Sequence, residues 1–358
     1  MTELTGAEVV RMATFDALKS DQTTVLLGLG VEDPKGIFGT TVKLSEEFGR
    51  DRVFETPTAE SASSGIAIGM AQAGLKPTVT HQRVEFALLG FEQIVNQAAK
   101  WRYMTDGTSS CPVTYRLIIG KGWGQGPQHS QSLESVFGHF PGLKVFSPGS
   151  LESLYDTIRL CMVDDDPCVI LEHRWLHHVK AVEGSINRIR DRATCQVRPS
   201  RRLTTGSLAT IVSCGIGAVE VRRALGSLSG ITGLSADLIE LTRLNPLDLS
   251  EVYESLDRTG RLIVFDHGWR QYGVGSEVIS QVVLSEKTLC ETPVHLHIAP
   301  IPIPSSRWLA NEAYPQPAKV AETLMNWGAV TDEAIKSQVL NEIGINADVP
   351  SESFKGPF

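Results

Sequence analysis

The chain has 358 residues, of which 42% are hydrophobic and 21% charged, and its formal net charge is -8. A chain of this size divides into about two domains and buries a core large enough to need neither disulfides nor metal. The acidic balance argues against nucleic acid or an anionic membrane as the main partner. No run approaches the roughly 20 apolar residues of a membrane span. The opening MTELTGAEVVRMATF lacks the basic start and apolar block of a signal peptide, so a cytoplasmic location is expected. The six cysteines (Cys111, Cys161, Cys168, Cys195, Cys214, Cys290) show no CxxC spacing. They suggest small buried residues in a reducing compartment rather than a zinc site or redox dithiol.

From residue 1 to about 180, short β-branched or apolar runs alternate with helical periodicity. TTVLLGLGV, RVFETP, KPTVTHQ, VTYRLIIG, LKVFSP and PCVILEH predict strands. SASSGIAIGMAQAG, FALLGFEQIVNQAAKWRYM and LESLYDTIRLCMV predict helices. This alternation predicts an α/β fold with a parallel sheet covered on both faces. Residues 181–206 turn polar and basic and predict a linker. A second α/β set follows over 207–335, with strands at SLATIVSCG, ITGLSADLIEL, GRLIVFDHG and PVHLHIAP. Its helices are expected at AVEVRRALGSL, LSEVYESL and GSEVISQVVL, and residues 336–358 are expected to form a tail.

The glycine-rich stretches carry little nucleotide chemistry. IGKGWGQGPQHSQ lacks the Walker pattern GxxxxGK[ST], and CGIGAVEVRRALG lacks the third glycine of a dinucleotide fingerprint. There is no GxSxG elbow and no HExxH. His173, His177 and His178 sit close together in LEHRWLHHV, either as loop residues at a strand end or as metal ligands.

One segment is unusual. In ETPTAESASSGIAIGMAQAG, Glu60 opens a helix built almost wholly of Ala, Ser, Gly and Ile. A first-turn acid is favoured by the helix dipole alone. The small residues, however, allow another backbone to approach closely. A carboxylate held between that helix and the apolar helix after it is taken out of water, a setting in which acids are often functional.

Several blocks in order then resemble one family. TPTAE-SASSGIAIGMAQAGLKP, FEQIVNQAAKWRYM, GPQHSQSLESVFGHFPGLKVFSP and DDDPCVILEH are similar to the beta chain of thiamine-diphosphate-dependent 2-oxo acid dehydrogenases, the decarboxylating component. LTRLNPLDLSEVYESLDRTGRLIVFDHGWRQYGVGSEV looks like the family's transketolase-like carboxyl-terminal domain. The resemblance implies two parallel-sheet α/β domains, a pyrimidine-binding domain and a transketolase C-terminal-like domain. It also implies site roles. Glu60, with Thr58 beside it, bonds the aminopyrimidine of thiamine diphosphate and exchanges the proton that activates the cofactor. Phe86 stacks on that ring, and His129 lines the substrate end. A structural potassium ion would be held by the backbone carbonyls of Val113, Cys161, Met162, Asp164 and Asp166.

Family chains that hold the cofactor's diphosphate and Mg²⁺ carry a GDG motif with a downstream Asn, and no GDG occurs here. The resemblance therefore implies an alpha chain that brings the diphosphate and Mg²⁺ half, in an α2β2 assembly. A lipoyl acyltransferase core would be the further partner. One stretch departs from the family: THQRVEF places His81 and Arg83 where relatives carry apolar or acidic residues. Arg and His in a cleft favour anionic or polyhydroxylated substrates. This keeps open a split transketolase-like carboligase acting on sugars or sugar phosphates. A third reading is a non-catalytic assembly chain.

Overall fold

The computed structural model describes residues 3–122, 124–191 and 196–344. Its strands are β1 (Glu3–Thr5), β2 (Thr24–Gly28), β3 (Val53–Glu55), β4 (Lys76–His81), β5 (Thr114–Ile119), β6 (Lys144–Phe146) and β7 (Cys168–His173). After these come β8 (Lys180–Val182), β9 (Ser200–Thr204), β10 (Thr210–Ser213), β11 (Asp237–Leu241), β12 (Arg243–Asn245), β13 (Leu262–Trp269) and β14 (Val294–Ile298). The first large sheet has the order β12-β6-β7-β5-β4-β2-β3 and is parallel except at β12, which pairs antiparallel with β6. The second has the order β14-β13-β10-β11-β9, with β9 its one antiparallel edge.

The helices follow from local chemistry. Gly6–Ser20 starts at a capping box: the Glu8 backbone donates to Thr5 Oγ1 at 3.3 Å and the Thr5 backbone to Glu8 Oε2 at 2.7 Å. Ser150 and Ser153 form the same device at the head of Leu151–Cys161. These two helices pack together on one face of the first sheet. Glu60–Gln72 covers the other face, burying Ser64, Ala67, Ile68 and Ala71. β5 and β7 are buried along their whole length, as central parallel strands are.

Three expectations require correction. The segment 86–104 is helical as expected but not regularly α: it runs from Val84–Ala87 through a 3-10 turn at Leu88–Gly90 and a π-helical stretch at Gln93–Ala98 to Trp101–Met104, with right-handed helical backbone at each junction. The π turn is closed by Ala99 N donating to Ile94 O at 3.0 Å. The segment expected to be a linker holds the helix Glu183–Arg190, whose Ile186 and Ile189 are buried; residues 192–195 lie outside the described residues. Three charged side chains among its eight residues, with Ser185 and Asn187, concealed that narrow apolar stripe. The expected tail begins inside the helix Glu333–Ile343, capped by Asp332 and docked through Val339 on Gly215–Thr232. Residues 345–358 lie outside the described residues.

Two buried ionic clusters fix the carboxyl ends of the first sheet's strands. Arg116, in mid-β5 and fully buried, makes two 3.0 Å bonds to Glu172 of β7. Glu172 in turn meets His177. Lys121, just past β5, donates to Glu220 Oε1 at 2.9 Å, and His267 lies 2.8 Å from Glu220 Oε2. Glu220 and His267 belong to the second half, so this cluster ties the two halves together. Burial pushes the Glu172 carboxyl up, but Arg116 and His177 outweigh it and hold it at about 2. A carboxyl held below its ordinary 4.5 stabilises the fold above that pH and loses the contribution as pH falls toward about 2. Glu172→Gln is expected to lower stability at neutral pH by about 3–5 kcal/mol, since Arg116 stays buried without its partner. It should also flatten the acid-side loss between pH 4.5 and 2, as read from urea midpoints across that range.

Candidate active site

Open parallel sheets bind ligands at the carboxyl ends of their strands. Here a cavity of about 230 Å³ opens at the ends of β2, β3 and β4. Its wall is formed by Gly28 and Leu29, by Thr56–Glu60 with Ser63, by Thr80–Gln82, and by Phe86 and Leu89. Glu60 is the first residue of Glu60–Gln72, and its N-cap Ala59 supplies no side-chain cap. Its carboxylate is half-buried rather than enclosed. Phe86 stands at the other side, 42% exposed. Thr58 joins the same wall. The structure thus brings Glu60, Thr58 and Phe86 together around one space.

His129 reaches this group through Phe86. The two rings meet edge to face, 5.5 Å apart at 68°. His129 sits on the loop after β5, where its backbone donates to Gly126 O at 3.3 Å. A residue missed by sequence reasoning stands beside it. Glu85 Oε1 accepts from the Gln131 backbone at 3.3 Å, and its Oε2 is 3.9 Å from His129 Nδ1. Burial pushes the Glu85 carboxyl up from its ordinary value. The available signal was its place next to Phe86, but an acid in a short helix carries no pattern of its own.

The departing stretch divides. His81 is in the cavity wall but only 5% exposed, with Nε2 3.4 Å from Ser64 Oγ. Burial lowers its pKa to about 4, so it is neutral at physiological pH. The expectation that His81 offers an anion a positive charge is therefore corrected. Arg83 is partly exposed and donates to Gln125 Oε1 on the His129 loop. Arg174, near Arg83, stacks on Phe38 at 4.1 Å and bonds His178 at 2.7 Å. His173 accepts from Trp175 N at 3.1 Å, and His177 is held by Glu172. The three histidines thus have separate partners. No group able to hold a metal through His, Cys, Asp or Glu is found among the described residues.

The proposed potassium positions gather at one turn. Val113 O accepts from Cys168 N at 2.9 Å, and Cys161 O from Thr114 Oγ1 at 2.7 Å. The Asp164 and Asp166 carboxylates pair with Lys144 at 2.8 and 3.2 Å. Cys161 O also accepts from Asp164 N at 3.1 Å, so both its lone pairs are used, whereas Val113 O keeps a second lone pair that could meet a cation.

Comparison with known proteins agrees with the two-part fold. Residues 2–178 match the family described as "Transketolase, pyrimidine binding domain", and residues 200–320 match "Transketolase, C-terminal domain". The Rickettsia conorii protein named "Pyruvate dehydrogenase E1 component subunit beta" is 32% identical over 326 residues, 90% of this chain and 97% of that one. The chain belongs to the beta-chain family of thiamine-diphosphate-dependent 2-oxo acid dehydrogenases. The mitochondrial beta subunit of Bos taurus is 29% identical, with 88% of each chain covered. In fold, the chain resembles a solved structure titled "Split gene transketolase, inactive beta4 tetramer", at TM-score 0.69 and 19% identity. That likeness covers 92% of this chain and 99% of the other.

His81 supplies a pH test. Its proton is bound more readily in the unfolded chain, so stability falls as pH drops from 6.5 to about 4. At about 1.4 kcal/mol per unit, that loss is roughly 3 kcal/mol. His81→Leu should remove this part of the slope, as measured by thermal or urea unfolding through the same window.

Proposed function

We propose that this chain is the pyrimidine-binding subunit of a two-chain enzyme that decarboxylates a 2-oxo acid and passes on the acyl unit. The carrying observation is the cavity in which Glu60 faces the exposed Phe86 ring. Its wall holds one carboxylate and no Lys or Arg. This lining suits an aminopyrimidine and not a diphosphate. At about 230 Å³ the space is also smaller than the roughly 300–1,000 Å³ of pockets that enclose a whole ligand. A second chain, carrying GDG, would complete the site with the diphosphate and Mg²⁺, in an α2β2 assembly.

When bound, thiamine diphosphate supplies the nucleophilic carbon that the reaction needs. The chain's own residues would do the rest. Glu60 would exchange a proton with the aminopyrimidine, and the Phe86 ring would stack on it. Thr58 lines the same wall, and Leu29 and Leu89 keep water from the ring. His129, on the far side of Phe86, serves the substrate end. A potassium ion held by the carbonyls of Val113, Met162, Asp164 and Asp166 would stiffen the turn beneath. A lipoyl group on an acyltransferase core is the proposed acceptor. The apolar side chains Leu29 and Leu89, which line the site and are exposed, support burial of this face against another chain.

Arg83 favours a second reading. With Gln125 it places a cation and an amide at the carboxyl end of the sheet, a setting suited to a sugar phosphate in a ketol transfer. Assaying the reconstituted pair with 2-oxo acids and with ketose phosphates separates the two. With the partner present, Glu60→Gln is expected to bind thiamine diphosphate by calorimetry yet lose at least about 100-fold in turnover, as removal of general acid–base catalysis does. Near-wild-type turnover would remove Glu60 from its assigned role. Cofactor binding by neither wild type nor variant would favour the assembly-chain reading.

A further inference from the structure

Glu85 is a carboxylate with only 10% of its side chain exposed, for which the proposed chemistry has no use. It lies on the short turn Val84–Ala87, one residue before Phe86. Its two oxygens point at one loop. Oε1 takes the Gln131 backbone N–H at 3.3 Å, and Oε2 stands 3.9 Å from His129 Nδ1. That nitrogen is buried and has no hydrogen-bond partner in the structure. The imidazole as a whole is not: 34% of the side chain is exposed. Its inner nitrogen therefore faces the carboxylate, while the rest of the ring is partly open to solvent and packs edge to face on Phe86, which lines the cavity.

We infer that Glu85 is a positioning residue for His129, receiving its Nδ1–H so that the ring is fixed in one tautomer and Nε2 is left to meet the substrate. The reason lies in the two nitrogens of a neutral imidazole. One carries the hydrogen and the other accepts, and the partner of one decides the role of the other. A carboxylate can only accept, so its neighbour must be the N–H. At 3.9 Å the pair is longer than a hydrogen bond, as catalytic contacts often are before a ligand is bound. The anchors on either side keep it from drifting: Gln131 holds the carboxylate, and Phe86 limits the tilt of the ring. Arg83, the other charged group near Glu85, is bonded to Gln125, which keeps it from competing as a direct partner.

This inference rests on the reading of His129 as the substrate-side residue, but its first test does not. The full chain labelled with ¹⁵N-histidine would be studied by long-range ¹H–¹⁵N correlation at mildly alkaline pH, with His129→Asn giving the assignment. The Nδ1–H pattern is expected at His129 in the wild type, moving toward the Nε2–H pattern in Glu85→Gln. The Gln amide can still accept from the Gln131 backbone, so the fold should hold. Glu85→Asp, a shorter carboxylate, should retain part of the Nδ1–H form. An Nε2–H pattern in the wild type, or the same pattern in wild type and Glu85→Gln, would overturn the inference. In the reconstituted complex, Glu85→Gln should lower kcat about tenfold or more with KM and cofactor affinity little changed, and Glu85→Asp should recover part of the loss. Loss of cofactor binding in step with kcat would make Glu85 a structural anchor only. If the wild-type complex turns over no 2-oxo acid while the tautomer shift is found, the proposed reaction fails and the positioning role stands.

Discussion

The site depends on one close approach. Gly90, at the end of the 3-10 turn after Phe86, lies against the first turn of Glu60–Gln72. A β-carbon there would sit 2.6 Å from Ser64 Oγ and 3.1 Å from Glu60 O. A side chain there would have to turn the Ser64 hydroxyl aside and push against the Glu60 carbonyl. The contact brings the segment carrying Phe86 onto the helix carrying Glu60, so the aromatic ring and the carboxylate share a cavity. It also explains why the helix is made of small residues. Bulk at position 64 would separate the two groups on which the cleft is built.

Around this contact, charge is neutralised wherever the sheet is closed. Arg116 and Glu172 are fully buried and bonded to each other, with His177 as third member. Lys121 is held by Glu220 and lies over the rings of Trp175 and Tyr314 at 4.9 and 4.8 Å. Buried pairs of this kind add little stability over apolar packing, but breaking one is costly, so they fix geometry. They hold the ends of β5 and β7, the strands beside the His129 loop. The face around the cavity is different, with Leu29 38% and Leu89 66% exposed. A rigid frame thus carries a soft apolar surface at its carboxyl edge. No helix among the described residues is long and apolar enough to cross a membrane.

Much of this was legible in the sequence. The apolar runs became strands where expected, because central parallel strands are buried on both faces and admit few polar residues. Glu60 and Phe86 were singled out through the blocks around them, and both line one cavity. Other features left no such trace. Ile186 and Ile189 were hidden among Arg188, Arg190 and other polar residues, so a helix looked like a linker. The segment 86–104 had an apolar period, but nothing in it announced the 3-10 and π turns within the helix. β12 is three residues from the second half of the chain that complete the first sheet, a pairing that sequence periodicity does not announce.

The sequence by itself determined the class of fold, the order of its two halves, the small-residue helix headed by Glu60 and the family. Each is carried by residue type and local spacing, which do not change on folding. Tertiary structure alone decided which charges survive. It buried His81 against Ser64 and made it neutral, left Arg83 accessible, and set Glu85 beside a nitrogen of His129 that lies 44 positions away in the chain. Charge state and tautomer depend on desolvation and on neighbours distant in sequence, and neither exists until the chain has closed on itself.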